Sequence, residues 1–393
     1  MFAVTEIQTA LREASLDGWL FYDHHVRDPL AYRVLRFAAP RIPTRRWYYF
    51  IPANGEPCAL VHRIEPGMLD ALPGVKNLYS SWETMRAGLA KLLGDAKRIA
   101  MQHSANCEIP YVALVDAGTI DLVRGMGVDV QSSADLVQVF ESRWSAEQLE
   151  SHLEAGRRVD AIRRAAFEKV SDALRAGRAI SEHDVAGFIR DSFSANGLFT
   201  DHGPIVAVNA NASNPHYEPT AEAHSPIHRG DLVLIDMWAK LTQPGAVYYD
   251  ITWTGFCGAQ APDDILRVFE VVKGGRNAAV NFVKGRVAAG QTPCGFEVDD
   301  AARNHIRGAG FADYFVHRTG HSIGEEVHGT GANMDNLESH DTRRTIARTC
   351  FSVEPGVYLE RFGIRSEVNV YVSETAARVT GEEQEALLLL CES

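Results

Sequence analysis

The sequence has few cysteines, and none of them are paired at the CxxC spacing that marks many zinc and redox sites. The six cysteines are scattered along 393 residues, at Cys58, Cys107, Cys257, Cys294, Cys350 and Cys391. This scatter argues against a disulfide framework and against a cysteine-based zinc site. Cys350 lies in a buried-strand pattern, where a packed thiol is expected rather than a nucleophile.

Positive charge and long apolar runs are also scarce. The 51 acidic residues outnumber the 39 basic ones, so the formal net charge is -12. An acidic surface repels nucleic acids and anionic membranes, which disfavours both as partners. The first residues, MFAVTEIQTALREASLDGW, lack a basic start with a sustained apolar run, and no stretch is long enough to span a bilayer. The sequence therefore predicts a cytoplasmic protein.

The length and composition predict two globular domains. Apolar residues make up 46% and charged residues 23% of the chain, which is ordinary for a soluble globular protein. The first 130 or so residues alternate strand-like runs such as GWLFYD with helical runs such as TEIQTALREA, a pattern typical of an α/β domain. Ser145 precedes Gln148 by three residues, which predicts a capped start of a long helix. We therefore expect domains at residues 1–140 and 141–393.

Two further helices are predicted in the second domain. One runs from Ser181 to about Asn196 and ends at Gly197, and the other runs from about Asp263 towards Gly290. Strand-like segments flank these helices. The second domain is thus expected to be α+β.

Five oxygen or nitrogen donors lie in apolar stretches of the second domain that read as strands. The stretches are GDLVLIDMW, VYYDITWTG, HRTGHSIGEEVH, CFSVEPGVY and GIRSEVNVYV, with the donors Asp236, Asp250, His321, Glu354 and Glu367. Four carboxylates with one imidazole form a hard, anionic set that suits a pair of divalent cations. Paired cations stabilise hydrolytic transition states, so the donors indicate a metal-dependent hydrolase.

These motifs, in this order and together with NPHYEP around His216, resemble those of the pita-bread metallopeptidases, the family of prolidase, aminopeptidase P and methionine aminopeptidase. The resemblance implies an α+β fold, with a pita-bread catalytic domain preceded by a smaller creatinase-type α/β domain. It makes all five donors metal ligands, with Asp250 and Glu367 touching both metals. Two manganese ions are expected first, with cobalt, iron(II) or zinc as alternatives.

The resemblance also implies a mechanism. A hydroxide bridging the metals would attack the peptide carbonyl, and Glu354 would carry the proton from that water to the leaving nitrogen. His216 and His328 would bind the substrate and hold the tetrahedral intermediate. Thr252, two residues after Asp250, could orient the water, although threonine is commonly just a good strand former.

Substrate preference follows less directly. Within this family, a creatinase-type N-terminal domain implies cleavage next to proline, and an Xaa-Pro dipeptidase needs a cation for the free carboxylate. The candidates are Arg343, Arg344 and Arg365. In a strand, Arg365 shares the face of Glu367, where it could equally serve as a counter-ion for the carboxylates. For Arg343 and Arg344, solvated surface charge is the commoner role.

The sequence departs from the family pattern near the ligands. The turn formers Gln243, Pro244 and Gly245 lengthen the loop between Asp236 and Asp250. Tryptophan replaces the typical glycine at Trp238 and a frequent arginine at Trp253, and Gly329 replaces a frequent acidic residue. None of these positions is a ligand, so the changes are expected to reshape the pocket and leave the metal chemistry in place.

Three other functions were weighed against an Xaa-Pro dipeptidase. Aminopeptidase P would use the same metals on longer Xaa-Pro peptides. A creatinase-like hydrolase works without metals and replaces the ligands, all of which this chain keeps. A non-catalytic binding module on the same fold would also need no ligands. By the same resemblance we expect a homodimer, in which residues Arg33 to Trp47 either border the partner's pocket or form an ordinary surface loop.

Overall fold

The structure is a computed structural model that describes residues 4–39 and 42–391. It contains two compact units, Met1–Glu141 and Ser142–Ser393. No helix in the described part of the chain is both long and apolar enough to cross a membrane. All six cysteines are free thiols, and Cys350 is buried.

The first unit is a mixed sheet with helices on both faces. Its elements, in chain order, are α1 (Val4–Glu13), β1 (Gly18–Asp23), α2 (Pro29–Val34), β2 (Trp47–Pro52), β3 (Cys58–His62), β4 (Val75–Tyr79), α3 (Trp82–Leu93), β5 (Arg98–Met101), α4 (Ala117–Arg124), β6 (Asp129–Ser132) and α5 (Ala134–Val137). The six strands are ordered β4-β3-β2-β1-β5-β6. Alternate residues of β1 enter different cores, Trp19 and Phe21 on one face, Leu20 and Tyr22 on the other. Because both faces are covered, β1 reads as a continuous apolar run.

The segment Arg33 to Trp47 only partly belongs to a loop. Arg33 lies in the last turn of α2 and pairs with Glu141, while Trp47 begins β2. Residues 40 and 41 of this segment lie outside the described residues.

The second unit joins long helices to three sheets. Its elements are α6 (Ala146–Arg175), α7 (Glu182–Ala195), β7 (Leu198–Phe199), β8 (Ile205–Val208), β9 (Leu232–Leu241), β10 (Tyr249–Phe256), α8 (Asp263–Ala288), α9 (Gly295–Gly308), β11 (Ser322–Ile323), β12 (Thr349–Val353), β13 (Gly356–Tyr358), β14 (Gly363–Arg365), β15 (Val368–Val372), β16 (Ala377–Thr380) and β17 (Leu388–Leu389). One sheet has the order β17-β10-β9-β7, with β8 also on β9, a second has the order β11-β12-β15-β16, and β13 pairs with β14. Helices and sheets together form the predicted α+β pattern.

The three predicted helices of this unit are confirmed. The Ser145 hydroxyl accepts from Gln148 N at 3.2 Å, and the Gln148 side chain accepts from Ser145 N at 3.0 Å, so the capping box begins α6. Ser181 starts α7 in the same way, with Asp184 as its partner. Helix α8 spans most of the range predicted from Asp263.

The β9–β10 hairpin has a buried helix face and a polar face. Val233, Ile235, Met237 and Ala239 belong to the core formed with α6 and α7. The intervening residues point the other way because strand side chains alternate. This alternation places Asp236 on the face away from the helices.

The predicted strand around GIRSEV is interrupted. Strand β14 ends at Arg365 and β15 begins at Val368, so Glu367 lies in the break between them. Glu354 likewise lies between β12 and β13, and His321 precedes β11. Only Asp236 and Asp250 are donors within strands, and the prediction that all five lie in strands is wrong for the other three. A carboxylate at a strand break can turn towards the site without being held to the two-residue alternation.

Candidate metal centre

The hairpin register places two carboxylates on one face. Asp236 is directly opposite Thr252, and Trp238 is directly opposite Asp250. Residues opposite each other in an antiparallel pair share a face, as do residues two apart, so all four side chains lie on one side of the sheet. Trp238 therefore flanks the carboxylates directly, which makes it part of the pocket wall.

Three of the predicted ligands converge. Asp250, His321 and Glu367 each offer one donor atom, and the three atoms lie within 4.8 Å of one another. All three residues are buried. His321 Nε2 lies 3.5 Å from Asp250 Oδ2 and 3.4 Å from Glu354 Oε1, which adds a fourth predicted ligand to the group.

His321 presents the correct nitrogen for a ligand. Its Nδ1 lies 3.2 Å from the carbonyl oxygen of Ser322, which can only accept a hydrogen bond. Nδ1 therefore carries the proton, and the lone pair of Nε2 faces the carboxylates. Burial lowers the pKa of His321, which keeps the ring neutral and able to ligate.

Asp236 is held by Arg365. The Nη2 of Arg365 donates to Asp236 Oδ2, and its Nε donates to Thr252 Oγ1 at 3.0 Å. Arg365 is 3% exposed, so its charge faces the carboxylates of the site and not the solvent. Of the two roles predicted for Arg365, the structure places it as the internal counter-ion.

The carboxylates carry an electrostatic cost. Burial raises the pKa of Asp236 to about 6, opposed by Arg365, and raises that of Asp250 to about 7. Burial and the neighbouring acids also raise the pKa of Glu367 well above its usual range, and burial raises that of Glu354. Three buried acids and the partly buried Glu354, with one arginine, are under-compensated in charge, a condition that divalent cations relieve.

Two unsatisfied oxygens show that the centre fits a metal. Asp250 Oδ1 and Glu367 Oε1 are buried and make no hydrogen bond with the described residues. An unpaired buried carboxylate oxygen costs free energy unless a cation ligates it. Because both oxygens belong to members of the converging trio, the donor set fits a hard divalent ion.

The second and third histidines of the motifs lie at the rim. The His328 ring is 4.3 Å from the His321 ring, nearly perpendicular to it. The adjacent His321 ring, because two protonated imidazoles in contact repel each other, and then burial lower the pKa of His328 to about 3, so His328 is neutral near pH 7. His216 is exposed, and its backbone N–H donates to Asn214 Oδ1 at 3.1 Å.

The two other candidate arginines differ in availability. Arg343 is buried, and its Nε and Nη2 donate to Asp341 at 3.0 and 2.6 Å while its Nη1 donates to the Thr330 carbonyl at 2.7 Å. Arg344 is exposed and donates to the carbonyl and hydroxyl of Thr292, both at 3.3 Å. Arg343 therefore stabilises its own loop, whereas Arg344 is exposed to solvent.

Several supporting residues were missed or misread from the sequence. The Thr252 hydroxyl donates to Glu367 Oε2 at 2.8 Å, so its only proton holds a ligand and does not orient a water. Arg365 Nη1 donates to the Tyr358 hydroxyl at 3.1 Å, and that hydroxyl lies 2.6 Å from His317 Nε2. His317 Nδ1 faces the Arg318 carbonyl at 2.7 Å, so its Nε2 accepts from Tyr358.

Trp238 is packed at the edge of the site. Its Nε1 lies 3.3 Å from Asp201 Oδ1, and its ring lies 4.9 Å from that of His202. Gly203 leaves room for the indole, since a Cβ there would lie 2.6 Å from a ring carbon. The unusual tryptophan thus has a matching glycine in the opposing loop.

Comparisons with known proteins agree with this centre. The model of metallopeptidase family M24 matches residues 151–374, a range that includes all five donors. An Xaa-Pro dipeptidase from Lactobacillus helveticus is 30% identical over 243 residues, which cover 61% of this chain and 59% of that protein. The chain thus spans about three fifths of the length of the curated relatives that it matches first.

Solved structures share the fold over nearly the whole chain. Dipeptidase PepE from Mycobacterium ulcerans superposes with a TM-score of 0.68 at 22% identity, covering 99% of this chain and 97% of that one. An X-Pro aminopeptidase from Thermotoga maritima superposes with a TM-score of 0.57 at 20% identity, covering 97% and 99%. The expected pita-bread architecture is confirmed by these neighbours.

Proposed function

Because the chain belongs to metallopeptidase family M24, we propose that it hydrolyses the peptide bond before proline in Xaa-Pro dipeptides. The observation that carries this proposal is the pair of unsatisfied buried oxygens, Asp250 Oδ1 and Glu367 Oε1, beside the free Nε2 of His321. A purely non-catalytic module has no need to bury acids that repel one another.

The proposed cofactor is a pair of divalent cations, with manganese as the first choice. The residues that would hold them are Asp236, Asp250, His321, Glu354 and Glu367. Bound cations supply Lewis acidity at the scissile carbonyl and lower the pKa of water.

Glu354 is the proposed proton carrier. Its Oε1 accepts from the Ser352 hydroxyl at 3.1 Å, which fixes the carboxylate, and its Oε2 lies 4.0 Å from Arg365 Nε. Burial raises the pKa of Glu354, so the group can accept a proton and release it to the leaving nitrogen. Because Ser352 fixes the Glu354 carboxylate, this proton transfer needs no movement of the side chain.

His328 and His216 are the proposed groups for the substrate oxygen. The lowered pKa of His328 keeps its ring neutral, so it can donate a hydrogen bond without adding charge beside the cations. Such a donor stabilises an oxygen on which negative charge develops. His216, exposed at the rim, would bind the substrate from the solvent side.

A second candidate, an aminopeptidase P acting on longer Xaa-Pro peptides, is favoured by one observation. Arg343 and Arg365 already pair with Asp341 and Asp236, so neither is available for the free carboxylate of a dipeptide. Arg344 is then the remaining predicted cation. The dipeptidase proposal depends on it.

The test compares three substrates, in manganese buffer, that differ at the C-terminal side of proline. An Xaa-Pro dipeptide, its C-terminal amide and an Xaa-Pro-Xaa tripeptide should be cleaved by the native enzyme and not by Asp250→Asn. For a dipeptidase, amidation should lower kcat/KM by about ten- to a hundredfold, the value of a charge-assisted hydrogen bond. Arg344→Gln should lower kcat/KM by the same factor for the dipeptide, and should leave kcat/KM for the amide and the tripeptide unchanged.

Arg348→Gln is the matched control. Arg348 is exposed like Arg344 and pairs only loosely with Glu374, at 3.8 Å. A tripeptide cleaved faster than the dipeptide would replace the dipeptidase by the aminopeptidase. Cleavage of neither substrate by manganese-loaded protein would reject both.

The assembly is also a proposal. Relatives with two domains suggest a homodimer, and light scattering that detects only monomer at assay concentration would exclude it. The cytoplasmic location predicted from the sequence stays a prediction.

A further inference from the structure

The first unit contains an open cleft of about 550 Å³. The residues after β1 form one side, the residues before β2 form another, and the start of α3 closes it. Its cationic lining comes from Arg27, Arg45 and Arg46, and its aromatic lining includes Trp82. No part of the proposed peptidase chemistry uses these residues.

The cleft is basic in a chain that is acidic overall. In the part of the chain that the structure describes, none of the three guanidinium groups is paired with a carboxylate. The guanidinium of Arg45 donates to the neighbouring Thr44, and its backbone N–H donates to Glu65 Oε2 at 3.2 Å. The one acid in the lining is Asp116, whose oxygens accept from Thr119 N and Oγ1, both at 2.9 Å, as the cap of α4. Three arginines against one committed acid attract an anion.

A strained loop holds Arg27 at this cleft. His25 and Val26 have φ angles of 65° and 57°, the left-handed region that a β-branched residue such as valine strongly avoids. The buried carboxylate of Asp23 maintains this conformation by accepting from the backbone N–H groups of Val26 and Arg27 at 2.9 and 2.7 Å. Strain that the surroundings enforce is concentrated at binding and switch sites.

The lining also offers a flat apolar surface. Trp82 is 62% exposed, although it is the first residue of α3 and a large apolar side chain. Arg86 lies over one face of this indole, 5.6 Å from the ring centroid. The other face can stack on a planar ring while the arginines of the cleft bind an attached oxyanion. Guanidinium groups favour phosphate because two N–H groups match two oxygens.

We propose that this cleft binds a phosphate monoester that carries a planar heterocycle, of the nucleoside monophosphate class. The phosphate lies among the three arginines, and the ring stacks on Trp82. The site shares no residue with the proposed metal centre.

Calorimetric titration of the full-length metal-loaded protein tests this inference, with adenosine monophosphate, inorganic phosphate and adenosine as probes. We expect the monophosphate to bind more tightly than phosphate, and adenosine to bind hardly at all. Arg46→Gln and Arg27→Gln should each weaken monophosphate binding about tenfold or more. Trp82→Ala should weaken the monophosphate and leave phosphate unchanged.

Arg98→Gln is the matched control. Arg98 is half exposed and lies outside the cleft, and its substitution removes one positive charge, as the cleft substitutions do. Circular dichroism and thermal unfolding would establish that each variant is folded. Absence of monophosphate binding at millimolar concentration overturns the proposal. So does binding that survives both arginine substitutions, or that is lost only in Asp250→Asn, because the anion then belongs to the metal centre.

Discussion

At the residue scale, three of the four carboxylates of the centre have one oxygen held by a neighbouring side chain. Arg365 holds Asp236, Ser352 holds Glu354 and Thr252 holds Glu367. A metal ligand that is oriented in advance loses less entropy when the ion binds. Thr252 differs from the others because its hydroxyl also accepts from Arg365. Through Arg365 it connects two proposed ligands, Glu367 and Asp236.

Thr252→Val should lower Mn²⁺ affinity by about ten- to a hundredfold, the usual effect of losing a hydrogen bond to a ligand. Valine keeps the shape and removes the hydroxyl. Competition against a fluorescent chelator would measure the change. Thr254→Val is the control, because Thr254 is equally buried and its hydroxyl donates to the backbone carbonyl of Arg365 at 3.1 Å rather than to a ligand. Equal losses in both variants would contradict the role of Thr252.

At the element scale, α6 approaches β10 closely at one glycine. A Cβ at Gly156 would lie 2.8 Å from ring atoms of Tyr249. That ring is held on its far side. Its hydroxyl donates to Asp160 Oδ2 at 3.1 Å, and the backbone of Gly381 packs so closely against the hydroxyl that a Cβ there would collide with it. Tyr249 precedes the proposed ligand Asp250, so the packing of the helix and the position of that carboxylate are linked.

Gly156→Ala should destabilise the protein by about 1–3 kcal/mol, because overpacking outweighs the gain of about 1 kcal/mol in helix propensity. The control, Gly285→Ala in α8, has nothing within 4 Å of the new Cβ. That exposed position should therefore gain about 0.5–1 kcal/mol. Urea unfolding of both variants would measure the two signs. A stabilised Gly156→Ala variant would mean that Tyr249 can shift.

The sequence predicts the elements better than the site. Caps at Ser145 and Ser181 are local signals, and both helices begin where those signals lie. The strand break at Glu354 has a signal in Pro355 and Gly356, which follow it. The break at Glu367, between Ser366 and Val368, has no glycine or proline to mark it. The pair between Arg343 and Asp341 also depends on how a loop folds. Local patterns predict local structure, whereas partners such as Tyr358 and His317, 41 residues apart, come together only in the fold.

At the scale of the whole molecule, the net charge and the metal centre act together. The chain carries a formal net charge of -12, and the centre places three buried acids and the partly buried Glu354 beside one arginine. Without cations, these acids can lower their repulsion only by taking up protons. Metal binding, proton binding and stability are therefore linked.

The sign of this linkage follows from the raised pKa values. Burial raises the pKa of Asp236 to about 6 and that of Asp250 to about 7, above the value of about 3.9 for an unfolded aspartate. The protonated acids thus stabilise the metal-free fold fully below about pH 4. This contribution is lost as the pH rises through about 6 to 7. Metal binds the deprotonated acids and should restore stability most where that loss is complete.

We therefore expect Mn²⁺ binding to release more protons at pH 6 than at pH 8, and to raise the unfolding temperature more at pH 8. Calorimetry in two buffers of different ionisation enthalpy would count the protons, and thermal unfolding with and without Mn²⁺ would measure the stabilisation. Asp250→Asn is the matched variant, because an amide has the same shape and no proton to release. At pH 6, Mn²⁺ binding to this variant should release up to about one proton fewer than binding to the native protein. Equal release at pH 6 and pH 8 in the native protein would show that these buried acids are already ionised, and that their charge is balanced within the chain.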